Sequence, residues 1–125
     1  MKIEGTKQTP TVEFDEGTGK LKIYGISIAI NPSEFWDQVI DMVEIYLEDP
    51  KDLELDINLE YFNTPSASKL YSLLKFIDNR MGEVKKKRKR KFTVVWHDDN
   101  DEDMRETGDD LSSMVSKNTT WVFKP

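Results

Sequence analysis

The stretch that decides the fold lies in the middle of the chain and reads Leu53-Glu54-Leu55-Asp56-Ile57-Asn58-Leu59-Glu60. Successive side chains of a strand point to opposite faces, so this strict apolar-polar alternation predicts a strand with one buried and one wet face. A strand in a parallel sheet that is covered on both faces would be apolar throughout. We therefore expect helices to cover mainly one face, which leaves the other open to solvent or to a partner, including a second copy of the chain.

Upstream of this stretch the sequence predicts a hairpin and a helix. Alternating residues at 12–14 and 21–23 flank a Gly-containing loop, which is typical of an antiparallel hairpin, and Gly25 is expected to end or bulge the second strand. Asn31 then fits a helix N-cap, with Pro32 at N1 and Glu34 at N3. Apolar residues recur at helical spacing from there to Pro50.

Downstream, helices and strands continue to alternate. An apolar stripe follows Thr64-Pro65 and ends near Gly82, which predicts a second helix. Alternation at 92–96 predicts the next strand, an acid-rich segment at 98–110 begins a weaker helix, and residues 121–123 form a last strand. The sequence thus predicts one small α/β domain over residues 1–125, with a mixed sheet of about five strands and helices mainly on one face.

Composition removes many classes of site. The 125 residues contain no cysteine and a single histidine, which excludes disulfides, Cys nucleophiles, Cys-ligated metals and any site that needs two histidines. No apolar stretch approaches the roughly 20 residues that span a bilayer, and the first ten residues are polar. We therefore expect a cytoplasmic protein with neither a membrane anchor nor a secretory signal.

Charge is distributed unevenly along the chain. The formal net charge of −6 hides the run Lys85-Lys86-Lys87-Arg88-Lys89-Arg90-Lys91, which holds seven of the 18 basic residues and leaves 11 basic against 24 acidic residues elsewhere. The run is interpreted mainly as a solvated connection, and the alternative is a module that binds nucleic acid or another polyanion. The run lacks the interleaved aromatic residues that stack on bases.

Two further candidates are weaker. The spacing of Asp99, Asp101 and Asp103 resembles a calcium loop, but Met104 stands where the loop needs glycine, so acids that open a helix are the favoured interpretation. His97 ends a predicted strand and is expected to point away from the helices, near Asp56 or Asn58. A small hydrolase built on His97 is a further interpretation, although no nucleophile motif accompanies it.

The junction between the central strand and the second helix carries the strongest candidate. Thr64 is predicted as N-cap and Pro65 as N1, which fits an ordinary helix start and a phosphorylation switch equally well. A phosphate here would sit at a helix N-terminus, whose amides and dipole favour an anion. Beside it, a shallow polar helix face is formed by Ser66, Ser68, Lys69 and Ser72, and the predicted docking face around Thr64 consists of Asn63, Ser66, Lys69 and Ser72.

An ordered set of stretches resembles the SiaC family of bacterial regulatory phosphoproteins. The set comprises Ile3-Glu4-Gly5-Thr6, Thr9-Pro10, Gln38-Val39-Ile40-Asp41, Val43-Glu44, Leu53-Glu54-Leu55-Asp56, Tyr61-Phe62-Asn63-Thr64, and Val95-Trp96-His97 with Asp99. The resemblance implies a domain similar to STAS-type anti-sigma-factor antagonists and places the family's phosphoacceptor hydroxyl on Thr64. It further implies a cognate kinase with a histidine-kinase-like ATPase domain, a PP2C-like phosphatase, and a diguanylate cyclase that the unphosphorylated form activates. No catalytic residue, metal or cofactor is expected.

Overall fold

The computed structural model describes residues 1–49, 51–82, 90–116 and 118–125. In these ranges the elements follow the predicted alternation, with one short strand added at the start. They are β1 (Lys2–Ile3), β2 (Thr11–Asp15), β3 (Lys20–Ser27), α1 (Ser33–Tyr46), β4 (Leu53–Phe62), α2 (Thr64–Met81), β5 (Phe92–His97), α3 (Glu102–Ser113) and β6 (Thr120–Lys124).

The strands of the described residues form a single six-stranded mixed sheet in the order β1-β2-β3-β4-β5-β6. The first three strands pair antiparallel, and β3 to β6 pair parallel. The predicted count of about five strands is therefore one short. The missing strand, β1, has only two residues, which is too few to show any alternation.

All three helices contribute side chains to one hydrophobic cluster on one face of the sheet, as predicted. The alternating leucines and Ile57 of β4 are at most 4% exposed and pack in this cluster with Trp36 of α1, Leu70 of α2 and Leu111 of α3. Polar residues of the same strands lie on the opposite face, where Glu13, Lys22 and Asp56 occupy one row of the register. Because helices cover one face and the other is open, apolar and polar residues alternate along β4.

A bulge next to Gly25 shapes the end of the sheet nearest the candidate site. Gly25 pairs with Leu59, whereas Ile26 pairs with Tyr61, so Glu60 has no partner across the strand pair. Gly25 has a φ of 115°, which side chains rarely tolerate, and this explains the glycine here. The bulge was predicted. Beyond it, Ser27 lies beneath the helices and is 1% exposed.

Both predicted N-caps at Asn-containing helix starts are off by one residue. At α1 the N-cap is Pro32 rather than Asn31, and the Asn31 side chain instead accepts a hydrogen bond from the Ser33 amide at 3.4 Å. At α2 the N-cap is Asn63 rather than Thr64. The second correction changes the chemistry of the candidate site.

Candidate functional site

Asn63 fixes the junction between β4 and α2. Its backbone is extended (φ −84°, ψ 173°), and its side-chain oxygen accepts from the Ser66 amide at 3.0 Å, which caps the helix. Its own amide donates to the carbonyl of Ser27 at 3.0 Å, and its side-chain nitrogen donates to the carbonyl of Ala29 at 3.4 Å. Asn63 thereby holds the start of α2 against the segment that follows β3.

Thr64 is the first helical residue of α2, and its side chain is exposed. Since Asn63 performs the capping, the Thr64 hydroxyl makes no hydrogen bond to any residue in the described part of the chain. An exposed hydroxyl without an intramolecular partner can enter the active site of another enzyme without any loss of structure. The geometry therefore makes Thr64 a better candidate for modification than an N-cap threonine would be.

Ser66 does not lie on the predicted docking face. It is 1% exposed, and its hydroxyl accepts a hydrogen bond from the hydroxyl of Ser27 at 2.7 Å. The Ser27 oxygen in turn accepts from the indole nitrogen of Trp36 at 3.2 Å. These three buried groups join β3, α1 and α2 beneath the site. The prediction of an exposed Ser66 was wrong, because residue 66 belongs to the buried stripe that continues through Leu70.

The other residues predicted on or beside the docking face lie on or near the surface. Ser68 and Ser72 are exposed and follow Thr64 at intervals of four residues, so the three hydroxyls share one face of α2. The hydroxyl of Ser72 donates to the carbonyl of Ser68 at 3.1 Å. Lys69 lies to one side and pairs with Asp37 of α1 at 3.3 Å. Their roles in binding a partner remain a prediction.

Three exposed apolar side chains flank the site and were not recognised from the sequence. Ile28 is 37%, Ile30 93% and Tyr61 60% exposed. The isoleucines lie on the segment that Asn63 contacts, and Tyr61 precedes Asn63 by two residues. The run Ile28-Ala29-Ile30 between a strand and a helix was the available signal. Exposed apolar residues that form a contiguous patch mark surfaces that bind another protein.

His97 occupies a different part of the molecule. It ends β5 on the open face, and its Nε2 lies 2.9 Å from a carboxylate oxygen of Asp56, one of the two predicted neighbours. Among the described residues, Asp56 is the one side chain that forms a polar contact with the His97 ring, and no nucleophile hydrogen-bonds to it. The hydrolase interpretation stays untested.

The structure describes the acidic segment at 98–110 but only the end of the basic run at 85–91. Residues 85–89 of the basic run lie outside the described residues; Arg90 donates to the carbonyl of Arg80 at 3.3 Å, and the Lys91 amide donates to Asp52 at 2.8 Å. In the acidic segment, Asp101 caps α3 by accepting from the Met104 amide at 3.1 Å. Within the described residues no three acidic or histidine side chains are grouped so that they could hold a metal.

Comparison with known proteins places these features in a family. A family model described as SiaC family regulatory phosphoprotein matches residues 3–122. The chain belongs to the SiaC family. This confirms the resemblance seen in the sequence. It also makes Thr64 and its surroundings part of a regulatory phosphoprotein.

Relatives of this SiaC-family chain come from Pseudomonas aeruginosa. One uncharacterised protein is 38% identical over 79 residues, which is 62% of this chain and 63% of that relative, so the match spans less than two thirds of its length. The crystal structure of apo-SiaC has a TM-score of 0.85 at 28% identity and covers 100% of this chain and 98% of that one. A structure of the diguanylate cyclase SiaD in complex with its activator SiaC has a TM-score of 0.82 at 28% identity. This match covers 99% of this chain and 99% of that one.

These likenesses confirm the predicted mixed α/β fold. Among the helices that the structure describes, none has the length and apolar character needed to cross a membrane.

Proposed function

We propose that this chain is a non-enzymatic partner-switch protein whose reversible phosphoacceptor is Thr64. A cognate kinase with a histidine-kinase-like ATPase domain adds the phosphate, and a PP2C-like phosphatase removes it. The unphosphorylated form binds and activates a diguanylate cyclase. The observation that carries the proposal is the exposed Thr64 hydroxyl at the start of α2, which no described residue hydrogen-bonds, in a chain of this regulatory phosphoprotein family.

The chemistry needs only one hydroxyl of this chain. The Thr64 oxygen attacks the γ-phosphorus of ATP, the bond from that phosphorus to ADP breaks, and the hydroxyl proton passes to a base of the kinase. In the reverse half of the cycle, water attacks the same phosphorus, inorganic phosphate leaves and the hydroxyl is restored. The kinase and the phosphatase supply the catalytic groups.

A cyclase is the favoured effector because a similar SiaC chain occurs in a complex with the diguanylate cyclase SiaD, described as the enzyme that SiaC activates. Exposed Ile28, Ile30 and Tyr61 beside Thr64 provide apolar surface for such a complex. A phosphate at Thr64 adds about −1.5 to −2 charges at the edge of this surface. Weakening the complex by about 3 kcal/mol would lower its affinity more than a hundredfold.

The test is phosphate transfer from ATP by a kinase encoded in the same gene neighbourhood. Thr64→Ala is compared with the wild type and with Ser68→Ala, a matched control that removes an exposed hydroxyl one turn further along the same face. We expect Thr64→Ala to abolish incorporation and Ser68→Ala to retain it. Equal incorporation into Thr64→Ala and the wild type would sink the assignment.

The activator role is tested separately with purified cyclase. Unphosphorylated wild-type chain is expected to raise cyclic-di-GMP synthesis, and the phosphorylated chain is expected to lose most of this effect. Thr64→Ala should activate the cyclase whether or not the kinase and ATP are present. Activation that persists after complete phosphorylation of the wild type would show that Thr64 does not control the effector.

A further inference from the structure

The first turn of α2 has fewer free backbone amides than most helix N-termini. Helix N-termini normally offer several free N–H groups, which is why they bind phosphate well. Here the amide of Asn63 donates to Ser27, Pro65 has no N–H, and the amide of Ser66 donates to the Asn63 side chain. The amide of Thr64 is the one remaining donor of this turn, and no described residue accepts a hydrogen bond from it.

A phosphate on Thr64 would have to displace Asn63 to reach a second amide. The Asn63 side chain is held from both ends, since its oxygen accepts from Ser66 at 3.0 Å and its nitrogen donates to Ala29 at 3.4 Å. Displacement would break both bonds and release the segment after β3. The loss offsets what the phosphate could gain from the Ser66 amide.

We infer that Asn63 and Pro65 leave a phosphate on Thr64 no amide of α2 other than that of Thr64 itself, so that most of its oxygen atoms stay hydrated and available to a partner. The inference rests on the proposed function, in which Thr64 carries the phosphate. It also names the device that makes the switch act on the partner and not on this chain. The backbone of the phosphorylated form keeps its conformation, and the dianion projects from the surface toward the cyclase or the phosphatase.

The experiment compares phosphothreonine at position 64 in the wild type and in Pro65→Ala, which restores the missing N–H. The phosphoamino acid is inserted during translation, so no kinase is needed. Phosphorus NMR follows the second pKa of the phosphate, and proton-nitrogen NMR follows the amides of the first turn. Far-UV circular dichroism checks folding, and Pro65→Ser is a second variant with the same new donor.

We expect the second pKa of the phosphate to be lower in Pro65→Ala than in the wild type by about 0.2 to 0.7. The new amide at position 65 should also shift downfield in phosphorylated Pro65→Ala relative to the same variant without phosphate. Both proteins contain the Lys69–Asp37 ion pair and the charge of Glu60. The electrostatic effects of these groups on the phosphate pKa are therefore the same in both and cancel in the difference. The matched control carries phosphoserine at 68. Its pKa is expected to be the same with and without Pro65, since position 68 lies beyond the first turn.

Two results would overturn the inference. One is an equal pKa of the Thr64 phosphate in the wild type and both Pro65 variants. The other is a strong downfield shift of the Ser66 amide in the phosphorylated wild type, which would show that the phosphate has displaced Asn63. Failure of the kinase to use Thr64 would overturn the proposed function and leave this comparison intact.

Discussion

Asn63 is the residue on which the geometry of the site depends, and its removal should be measurable as lost stability. Asn63→Ala deletes the cap of α2 and the bond to Ala29. Loss of an N-cap costs about 0.5–2 kcal/mol, so we expect a decrease of this size in the free energy of unfolding, measured by urea denaturation. Asn63→Asp keeps an accepting oxygen and should lose less. Asn58→Ala, on the open face, is the matched control and should change little.

Unchanged stability in Asn63→Ala would mean that water replaces both bonds. The sequence alone does not show which residue caps α2. Asn63 and Thr64 are both good caps, and the pattern Asn-Thr-Pro-Ser could not decide between them. The decision depends on the backbone of Asn63, which is extended with a ψ of 173° and whose amide donates to the carbonyl of Ser27. The buried Ser66 was missed for a different reason: it stands four residues before Leu70 and continues the apolar stripe, but its hydroxyl suggested an exposed position.

At the scale of elements, α3 approaches the sheet so closely that only glycine fits at the contact. A Cβ on Gly108 would lie 2.6 Å from the indole nitrogen of Trp96 and 2.8 Å from a ring carbon of Phe123. Replacing glycine by alanine inside a helix normally stabilises it by up to about 1 kcal/mol. Gly108→Ala should instead destabilise the protein by about 1–3 kcal/mol, because α3 must move away from β5 and β6.

The matched control is Gly82→Ala at the end of α2. Its Cβ would have ordinary contacts of 3.5 Å or more, and its φ is −79°. This variant should stay within about 0.5 kcal/mol of the wild type in urea denaturation. If Gly108→Ala were as stable as Gly82→Ala, the close packing of α3 would not contribute to folding.

A second junction links the hairpin loop, the end of α1 and the start of β4, and it predicts a pH dependence. The Tyr46 hydroxyl donates to the carbonyl of Asp52 at 2.7 Å. Burial raises the pKa of Tyr46 above the ordinary 10.0, and the charges of Asp52 and Glu16 raise it further. The folded state therefore holds this proton more tightly than the unfolded state, so its contribution is complete below about pH 10 and is lost as the pH rises through the raised pKa.

Tyr46→Phe should remove both the hydrogen bond and the pH dependence that the Tyr46 hydroxyl contributes to stability. Urea denaturation between about pH 7 and pH 11 measures both, because this range spans the ordinary phenol pKa of about 10. We expect a loss of about 0.5–1.5 kcal/mol at pH 7 from the missing hydrogen bond, and a shallower decline of stability above pH 10 than in the wild type. Tyr61→Phe is the control, because Tyr61 is 60% exposed. An equally steep alkaline decline in Tyr46→Phe and the wild type would contradict the assignment.

Elements with a strong periodic pattern were predictable, and short or register-dependent features were not. The alternation of β4 and the apolar stripes of α1 and α2 identified the core and its single covered face. Strand β1 escaped detection because it is defined by its pairing with Val12 and Glu13 and has no pattern of its own. The bulge was predictable from Gly25, but its effect on Ser27 and Phe62 required the register of both strands.

At the scale of the whole molecule, the sheet separates two surfaces with different chemistry. The candidate site lies where β4 passes into α2, whereas the His97–Asp56 pair lies on the open face. The sequence predicted this separation and offered Asp56 or Asn58 as the neighbour of His97. In the parallel register of β4 and β5, Asp56 pairs with Val95 and Ile57 with Trp96, so His97 lies one position beyond Trp96 and contacts the diagonal carboxylate of Asp56. The alternation of the sequence placed both candidates on this face but could not choose between them.

The continuity of the hydrophobic cluster predicts that the described elements unfold together. The cluster extends from Val12 in β2 to Leu111 in α3, and chains of this size with one core usually unfold in a single transition. The three tryptophans lie on α1, β5 and β6, where Trp36 contacts Ser27 of β3 and the other two report on the β6 edge of the sheet. We expect tryptophan fluorescence and far-UV circular dichroism to give the same urea midpoint.

Trp121→Phe provides the control for this prediction, because it leaves only Trp36 and Trp96 as reporters. Its fluorescence and circular dichroism midpoints should still coincide, even if both move together to lower urea. A fluorescence transition that precedes the loss of helix in the wild type, but not in Trp121→Phe, would show that β6 separates first. In that case the packing of Trp121 on Trp96, with ring centroids 5.9 Å apart, would not couple the edge of the sheet to its core.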